Sequence, residues 1–259
     1  MKKKLKSWQG WLLFCGAMVI VFISGLGISA LMERRSESDS VFNNRTTIIK
    51  GTEARNEIFK NDYPHEYQTW SETTKTDVQG ELNGNAGEDV LEQRPEMVIL
   101  WAGYAFSKDY SNPRGHMHAI DDIRASLRTG APATDTDGPQ PSTCWTCKSS
   151  DVPRMIEAIG VDAFYNSKWG ALGSEIVNPI GCADCHEPES MDLQITRPAL
   201  IEAFQRQGKD ITKVTPQEMR SLVCAQCHVE YYFKGDGKYL TLPWDKGLTV
   251  EDMEAYYDE

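Results

Sequence analysis

The sequence predicts a mainly α-helical protein with long loops, preceded by one N-terminal transmembrane helix. Three observations support this prediction. An uncharged run extends from Trp11 to Leu31, and about 20 apolar residues are enough for a helix to cross a bilayer. Helix-start signals surround Pro198 and Pro216, because proline is favoured at the first position of a helix. Three closely spaced cysteine pairs occupy the second half of the chain, so bound groups rather than a large apolar core are expected to hold the loops.

Composition and charge limit the possible partners. The 259 residues carry a net charge of −11 and have a pI of about 5.0. We expect no nucleic-acid partner, because nucleic-acid binding needs a basic surface. An acidic exterior also repels small anions, so an anionic substrate would need a locally positive site. The length is sufficient for one large domain or two modest ones.

The N-terminus predicts a single membrane anchor followed by an exported domain. Residues 1–10 form a basic tail, 11–31 the transmembrane segment, 32–48 a charged and serine-rich tether, and 49–259 the main domain. Lysines before the apolar run predict that the N-terminus stays in the cytoplasm and that the main domain lies on the periplasmic side of the cytoplasmic membrane. A cleaved signal peptide is the alternative, since Ser29 and Ala30 are small enough for a cleavage site. The apolar region of a signal peptide is usually shorter, about 7–15 residues, so the uncleaved anchor is favoured.

Two features of the region before residue 115 carry weaker signals. Residues 97–102 are the strongest apolar run outside the membrane segment, and periodicity does not distinguish a strand from the start of a buried helix there. His65 follows a proline in a mixed polar and aromatic stretch. We expect it to be a surface residue rather than a ligand.

Four later stretches carry helix signals. A helix is expected to begin near His116, because acidic side chains come early and basic side chains late in that stretch, which suits the helix dipole. Thr196 is expected to cap a helix that has proline in its first turn. Thr215 and Glu218 form a capping box for a helix that runs toward the third cysteine pair. Residues 249–257 continue in a helical pattern.

Six of the seven cysteines form three pairs with the same spacing. The pairs, each with the residue that follows it, are Cys144, Cys147 and Lys148; Cys182, Cys185 and His186; and Cys224, Cys227 and His228. Cys-x-x-Cys-His is the pattern for covalent attachment of c-type haem. The two thiols add to the haem vinyl groups, and the histidine, one helical turn from the first cysteine, faces the iron. The pattern predicts two such haem groups, and a third at which lysine replaces histidine.

Lys148 is the most informative residue of this pattern. A free lysine amine has a pKa of about 10.4, so it must lose a proton before its lone pair can bind iron. Burial or a nearby cation makes that loss easier. Because lysine is used at only one haem out of three in spite of this free-energy cost, we expect the iron of that haem to have a different role. We expect an amine on one side of that iron and an open position for a small molecule on the other.

Two other interpretations of the cysteine pairs are open. The first pair is compatible with a redox or structural Cys-x-x-Cys in which Lys148 lowers a thiol pKa. The second and third pairs have the thiols for a four-thiolate zinc site. Haem is favoured, because two haem patterns follow the first pair and zinc does not require the histidine after each of them.

The histidines are too few to supply every expected ligand. Two histidine-ligated haem groups that carry electrons need two further ligands, and only His65, His116 and His118 remain, with methionine as a possible substitute. Two residues apart on a helix, His116 and His118 point about 200° from each other, so only one faces a given haem. This deficit, and a helical pattern that reaches Glu259 without a stop signal, predict that further sequence follows.

Long stretches of the chain resemble the ammonia-forming cytochrome c nitrite reductases, pentahaem enzymes whose first haem has a lysine ligand. The resemblance runs from about residue 50 to the end and is carried by the order of the three cysteine motifs and by residues 98–104, 113–117, 127–132 and 224–233. It implies a multihaem cytochrome c fold, with haem c and calcium as cofactors. It also implies the six-electron reduction of nitrite to ammonium.

The resemblance implies roles around the first haem. Lys148 would be the iron ligand of the catalytic haem held by Cys144 and Cys147. Arg128 would lie in the pocket on the other side of that haem and attract nitrite, which supplies the local positive charge that the acidic chain otherwise lacks. The Tyr231 hydroxyl would line the same pocket.

The resemblance also implies a second iron ligand and a calcium site. His116 would be the distal ligand of the haem bound by His228, which leaves His118 without a ligand role. Glu230 and the Tyr231 carbonyl would bind calcium beside the active site. These are only two of the about 6–8 oxygen atoms that calcium takes.

The family's chains continue beyond the point that matches Glu259. They carry two more Cys-x-x-Cys-His motifs, an active-site histidine, further calcium ligands and a helical region that builds a homodimer. We therefore expect this sequence to be an N-terminal part with three of five haem groups, and to reduce little or no nitrite alone. The electron donor implied by the resemblance is a membrane-associated, quinol-oxidising multihaem protein.

The sequence is also compatible with two alternative functions. One is a membrane-anchored trihaem electron-transfer cytochrome without catalysis, which predicts no spectral change with nitrite. The other is a hydroxylamine- or tetrathionate-type multihaem reductase, and the surroundings of Arg128 and Tyr231 favour nitrite over it.

Overall fold

The protein is mainly helical, as predicted. A computed structural model describes residues 6–43, 47, 49, 51–77, 94–96, 115–125, 134, 136 and 140–259. The chain forms two compact units, Met1–Thr47 with Asn61–Tyr63, and Ile48–Lys60 with Pro64–Glu259. The α-helices described are Ser7–Asn43, Pro64–Glu72, Ala119–Ala125, Asp151–Ile159, Val161–Asn166, Trp169–Gly173, Cys182–Cys185, Pro198–Arg206, Pro216–Ala225 and Val250–Tyr257. Short 3-10 helices span Asn56–Asn61, His116–His118, Ser142–Cys147 and Ile211–Lys213.

The N-terminal helix is longer than the predicted membrane segment. It covers Ser7–Asn43, and its part Ser7–Arg35 is long and apolar enough to cross a membrane. The helix therefore includes most of the stretch 32–48 that the sequence indicated as a tether. Serine and charged residues there did not stop it, because a helix that is already formed adds residues at little cost.

The hydrophobic core of the second unit surrounds the first cysteine pair. Trp145, which lies between those two cysteines, is fully buried and stacks on Trp169, with ring centroids 3.4 Å apart and planes 7° apart. Leu200, from the helix Pro198–Arg206, and Leu242 belong to the same buried cluster. Large buried rings supply much of the favourable free energy of a core, so the first cysteine motif is anchored at the centre of this unit.

A small antiparallel hairpin follows the third cysteine pair, and the sequence did not predict it. Strand Tyr232–Lys234 pairs with strand Tyr239–Thr241 in the register Tyr232↔Thr241, Phe233↔Leu240 and Lys234↔Tyr239. Its turn contains two residues with positive φ, Gly235 at 64° and Lys238 at 52°. Left-handed backbone is readily adopted by glycine, which accounts for the glycine at position 235.

Three of the predicted helices form close to their expected positions. The chain turns into a 3-10 helix at His116 and into an α-helix at Ala119. Thr215 caps Pro216–Ala225 with the predicted box, since its side chain accepts from the Glu218 N–H and the Glu218 side chain accepts from the Thr215 N–H. The helix Val250–Tyr257 begins with a similar box, between Thr249 and Asp252.

The predicted cap at Thr196 is wrong by one residue. The helix begins at Pro198, so Arg197 holds the cap position, and it makes no side-chain cap hydrogen bond. The Thr196 hydroxyl donates instead to the Asp184 carbonyl and to Gln226 Oε1. His65 is exposed, as expected, whereas residues 97–102 lie outside the described region.

The capping box at Thr215 yields a test of local stability. In Thr215→Ala, the Glu218 N–H loses its acceptor, and we expect a loss of about 1 kcal/mol in the free energy of unfolding. Urea denaturation measures this loss. Ser221→Ala is the control, because this exposed serine lies inside the same helix, where alanine is the better helix former. Equal losses in the two variants would contradict a capping role.

Candidate functional site

The three cysteine motifs lie on short helical segments. The His186 N–H donates to the Cys182 carbonyl and the His228 N–H to the Cys224 carbonyl, each at 2.9 Å. Both histidines thus come one α-helical turn after the first cysteine, which confirms the predicted placement. The first motif is wound more tightly, because the Lys148 N–H donates to the Trp145 carbonyl, three residues back, at 2.9 Å. The Lys148 side chain is therefore attached to a differently wound backbone from the side chains of the two histidines.

All three motifs bury the residue that precedes their second cysteine, whereas none of the six paired cysteines is fully buried. Thr146, Asp184 and Gln226 each precede the second cysteine of a pair, and each is buried. The six paired cysteines are half-buried or, in the case of Cys224, exposed, and none of them forms a disulfide. Covalent attachment of a large ligand needs thiols at a surface on a fixed backbone, so this arrangement fits haem attachment.

Two histidine rings from distant parts of the chain approach each other. The ring centroids of His116 and His228 are 6.2 Å apart, with planes inclined by 44°. Imidazole nitrogens bind a transition metal at about 2 Å, which places the centres of two rings on opposite sides of one ion roughly 6 Å apart. Partial desolvation lowers the pKa of His116, and the charge of His228 lowers it further. Both effects favour the neutral imidazole, which is the form that binds metals.

The neighbour of this pair, His118, is held elsewhere. A hydrogen bond of 3.0 Å joins His118 Nε2 to the Thr74 carbonyl. Further along, Arg124 anchors the same segment, since its guanidinium donates to the Gly173 and Ile176 carbonyls at 2.6 and 3.0 Å. His118 and His116 therefore have different partners, as their spacing predicts.

His186 is oriented by a backbone carbonyl. A hydrogen bond of 2.8 Å joins His186 Nδ1 to the Met191 carbonyl. In the tautomer that donates this bond, Nε2 keeps its lone pair for a metal, and metal-binding histidines commonly have such a partner. The loop that supplies the carbonyl brings Met191 to a φ of 63°.

Neighbouring thiols link the first and third motifs. A hydrogen bond between their side chains lowers the pKa of Cys147 to about 7 and raises the pKa of Cys227. In the second motif, burial raises the pKa values of Cys182 and Cys185 to about 11. The positive charge of Arg197 lowers the pKa values of Cys147, Cys185 and Cys227. Arg197 therefore interacts electrostatically with the second thiol of every motif.

Among the remaining candidate residues, the described ones, Glu230 and Tyr231, do not by themselves form a binding site. Arg128 lies outside the described residues. Tyr231 is 47% exposed, with its ring stacked on Phe233, and exposed Glu230 accepts a hydrogen bond of 3.3 Å from the Tyr257 hydroxyl. Within the described part of the chain, no group of three or more His, Cys, Asp or Glu side chains is placed to hold a metal ion. This arrangement leaves the calcium ligand set incomplete and offers no support for the four-thiolate zinc alternative.

Sequence reasoning missed Arg197, Asp184 and Gln226. The Arg197 side chain is fully buried against Asp184, with the Nη2 to Oδ1 distance at 2.5 Å. A weak signal existed, because Asp184 and Gln226 hold equivalent positions in two cysteine motifs. Nothing local indicated that Arg197 reaches them.

Comparisons with known proteins identify the family of the chain. The family model described as cytochrome c552 matches residues 55–259. The chain is 79% identical to cytochrome c-552 of Bacteroides thetaiotaomicron and 65% identical to that of Porphyromonas gingivalis, in each case over the whole chain and 52% of the relative. It therefore spans about half the length of the curated relatives it matches.

A solved structure shares the fold. The cytochrome c nitrite reductase of Desulfovibrio desulfuricans, whose catalytic subunit has two calcium sites, superposes with a TM-score of 0.70 at 32% identity. The match covers 82% of this chain and 48% of the solved one. With a family model that covers most of its length and relatives this similar, the chain belongs to the cytochrome c552 family.

Proposed function

We propose that this chain carries three c-type haem groups. One of them, on the first motif, is the substrate-binding haem of a nitrite-to-ammonium reductase. The observation that carries the proposal is the pairing of His116 with His228, in a chain whose first motif ends in lysine. One haem would have a ligand on each side and would carry electrons. The lysine-ended motif would hold the haem with an open position.

The chain's own residues supply the attachment and the ligands. When bound, haem c supplies an iron that exchanges electrons and that binds a small anion where one position is open. The thiols of each pair would hold the group through two thioether bonds to its vinyl carbons. Lys148, His186 and His228 would each bind the iron of the haem on their own motif, and His116 would be the second ligand of the haem on the third motif.

The substrate we propose is nitrite. One nitrite takes up six electrons and eight protons and gives one ammonium ion and two water molecules. Electrons would come from a membrane-associated, quinol-oxidising multihaem protein, and protons from water. Arg128 and Tyr231 would lie near the open position, where a cation and a hydroxyl stabilise oxygen atoms as they leave. Glu230 and the Tyr231 carbonyl would contribute to a calcium site that needs further oxygen ligands.

We propose that the helix Ser7–Arg35 anchors the protein. Lysines before it favour a cytoplasmic N-terminus, and the cysteine motifs would then lie on the periplasmic side. The anchored trihaem electron carrier is the second candidate function, because the pairing of His116 and His228 suits electron transfer equally well.

Haem analysis with added nitrite distinguishes the two candidates. The chain is produced with a haem-attachment apparatus, and its haem content is measured as the pyridine haemochrome. We expect three haem groups per chain and a nitrite-induced change in the visible spectrum of one. Three haem groups without any nitrite response would favour the electron carrier. A preparation without haem would contradict both.

The histidine pair is tested separately. His116→Ala removes one of two facing rings, so we expect one haem to change from low-spin to high-spin and to bind carbon monoxide. His118→Ala is the matched control, because His118 lies two residues away and bonds to a backbone carbonyl. Magnetic circular dichroism measures the spin state. A low-spin spectrum that survives in His116→Ala and is lost in His118→Ala would exchange the two assignments.

A further inference from the structure

We propose that Arg197 is a positioning residue that holds the three cysteine motifs at fixed separations and thereby sets the spacing of the haem groups. The inference rests on the proposed haem attachment. It concerns residues that carry no haem ligand atom and that lie between the motifs.

Arg197 contacts the first and second motifs directly. Its Nε donates to the Thr146 carbonyl at 2.7 Å and its Nη2 to the Ser149 carbonyl at 3.0 Å, so it grips the first motif on both sides of Cys147 and Lys148. The same Nη2 donates to Asp184 Oδ1 at 2.5 Å. The planar fork of arginine makes this three-way contact possible.

Gln226 extends the network to the third motif. Its Nε2 donates to the Asp184 carbonyl at 2.9 Å, and its Oε1 accepts from the Thr196 N–H at 3.1 Å. Arg197 Nη1 donates to the Thr196 hydroxyl at 2.6 Å. All three motifs are thus joined through the residue that precedes the second cysteine, namely Thr146, Asp184 and Gln226.

Asp184 is satisfied on both carboxylate oxygens. Oδ1 accepts from Arg197, while Oδ2 accepts from the Gly181 N–H at 2.8 Å and from the Ser150 hydroxyl. The side chains of Arg197 and Asp184 are 0% and 3% exposed. A buried ion pair contributes little net stability compared with apolar residues of similar volume, and its best-attested use is to select one arrangement of the elements around it.

The network therefore controls relative position rather than bulk stability. The guanidinium donates to two carbonyls of the first motif and to the Asp184 carboxylate of the second, so a shift of one motif against the other breaks a directional bond in a buried site. A buried polar group that loses its hydrogen-bond partner destabilises the folded protein. Because haem is covalently tied to its motif, a shift of the motif would move the haem with it.

The test compares Arg197→Lys with Arg206→Lys in the haem-loaded chain. Lysine keeps the charge but cannot reach acceptors on both motifs at once. Arg206 is the last residue of the helix that Arg197 precedes, and it pairs with Asp245 at the surface, so it is a matched control. We expect three haem groups in both variants, with the haem–haem coupling pattern in electron paramagnetic resonance lost only in Arg197→Lys. Redox titration should show a shifted midpoint for at least one haem of that variant.

A second variant covers the case in which Arg197→Lys fails to fold. Gln226→Leu leaves the pair of Arg197 and Asp184 intact and cuts the link to the third motif, so only couplings that involve that haem should change. Three haem groups with unchanged coupling in the folded variants would overturn the inference and leave the proposed function intact. An unmodified chain without haem would overturn both.

Discussion

Replacing Lys148 by histidine is expected to weaken nitrite binding at the first haem by at least about 100-fold, since changes outside the ligand shell of a metal already cost about 10–100-fold. Two physical differences produce this loss. A free lysine amine is more basic than imidazole, with pKa values of about 10.4 and 6.5, so it donates more strongly to iron. The first motif is also wound more tightly than the other two, because the Lys148 N–H bonds three residues back. Histidine in that turn would not reach the same point as the longer lysine.

The nitrite-dependent change in the visible spectrum measures this effect. Haem content should stay at the value for the unmodified chain, because Cys144 and Cys147 are unchanged. Lys168→His is the control, since Lys168 is exposed and it is its backbone carbonyl that accepts from the Ser142 hydroxyl. Unaltered nitrite binding in Lys148→His would remove lysine ligation from the proposed function.

Replacing Asp184 by asparagine is expected to lower the free energy of unfolding by about 3–5 kcal/mol, the usual cost of removing one partner from a buried ion pair. The amide leaves the fully buried Arg197 without a counter-charge. If the asparagine NH2 group takes the place of Oδ2, it also faces the Gly181 N–H, and two donors then meet without an acceptor. Domains of this kind are stable by only about 5–15 kcal/mol, so the variant would lose a large share of its stability.

Asp245→Asn is the matched control for this prediction. Asp245 pairs with Arg206, and these side chains are 36% and 34% exposed. An exposed pair contributes about 0–1 kcal/mol, so the control should unfold close to the unmodified protein in urea. Similar losses in the two variants would show that the burial of the Asp184 pair has no special effect.

Local patterns predicted much of the secondary structure. The capping box at Thr215 and the turn that places His228 after Cys224 depend on atoms a few residues apart, so the sequence contains all of their determinants. Periodicity and capping failed where a distant contact competed. Thr196 has the chemistry of a helix cap, but its hydroxyl bonds to Asp184 and Gln226 instead.

By itself, the sequence determined the membrane-length helix, the capped helices, the spacing of the three cysteine motifs and the exceptional lysine at position 148. Each follows from local geometry and residue chemistry. Only the tertiary structure decided how closely the rings of His116 and His228 approach each other, and that Arg197 joins Thr146 to Asp184. These contacts connect residues far apart in the chain, and packing of the whole domain selects them. Local sequence patterns do not predict which buried donor forms a hydrogen bond with which distant acceptor.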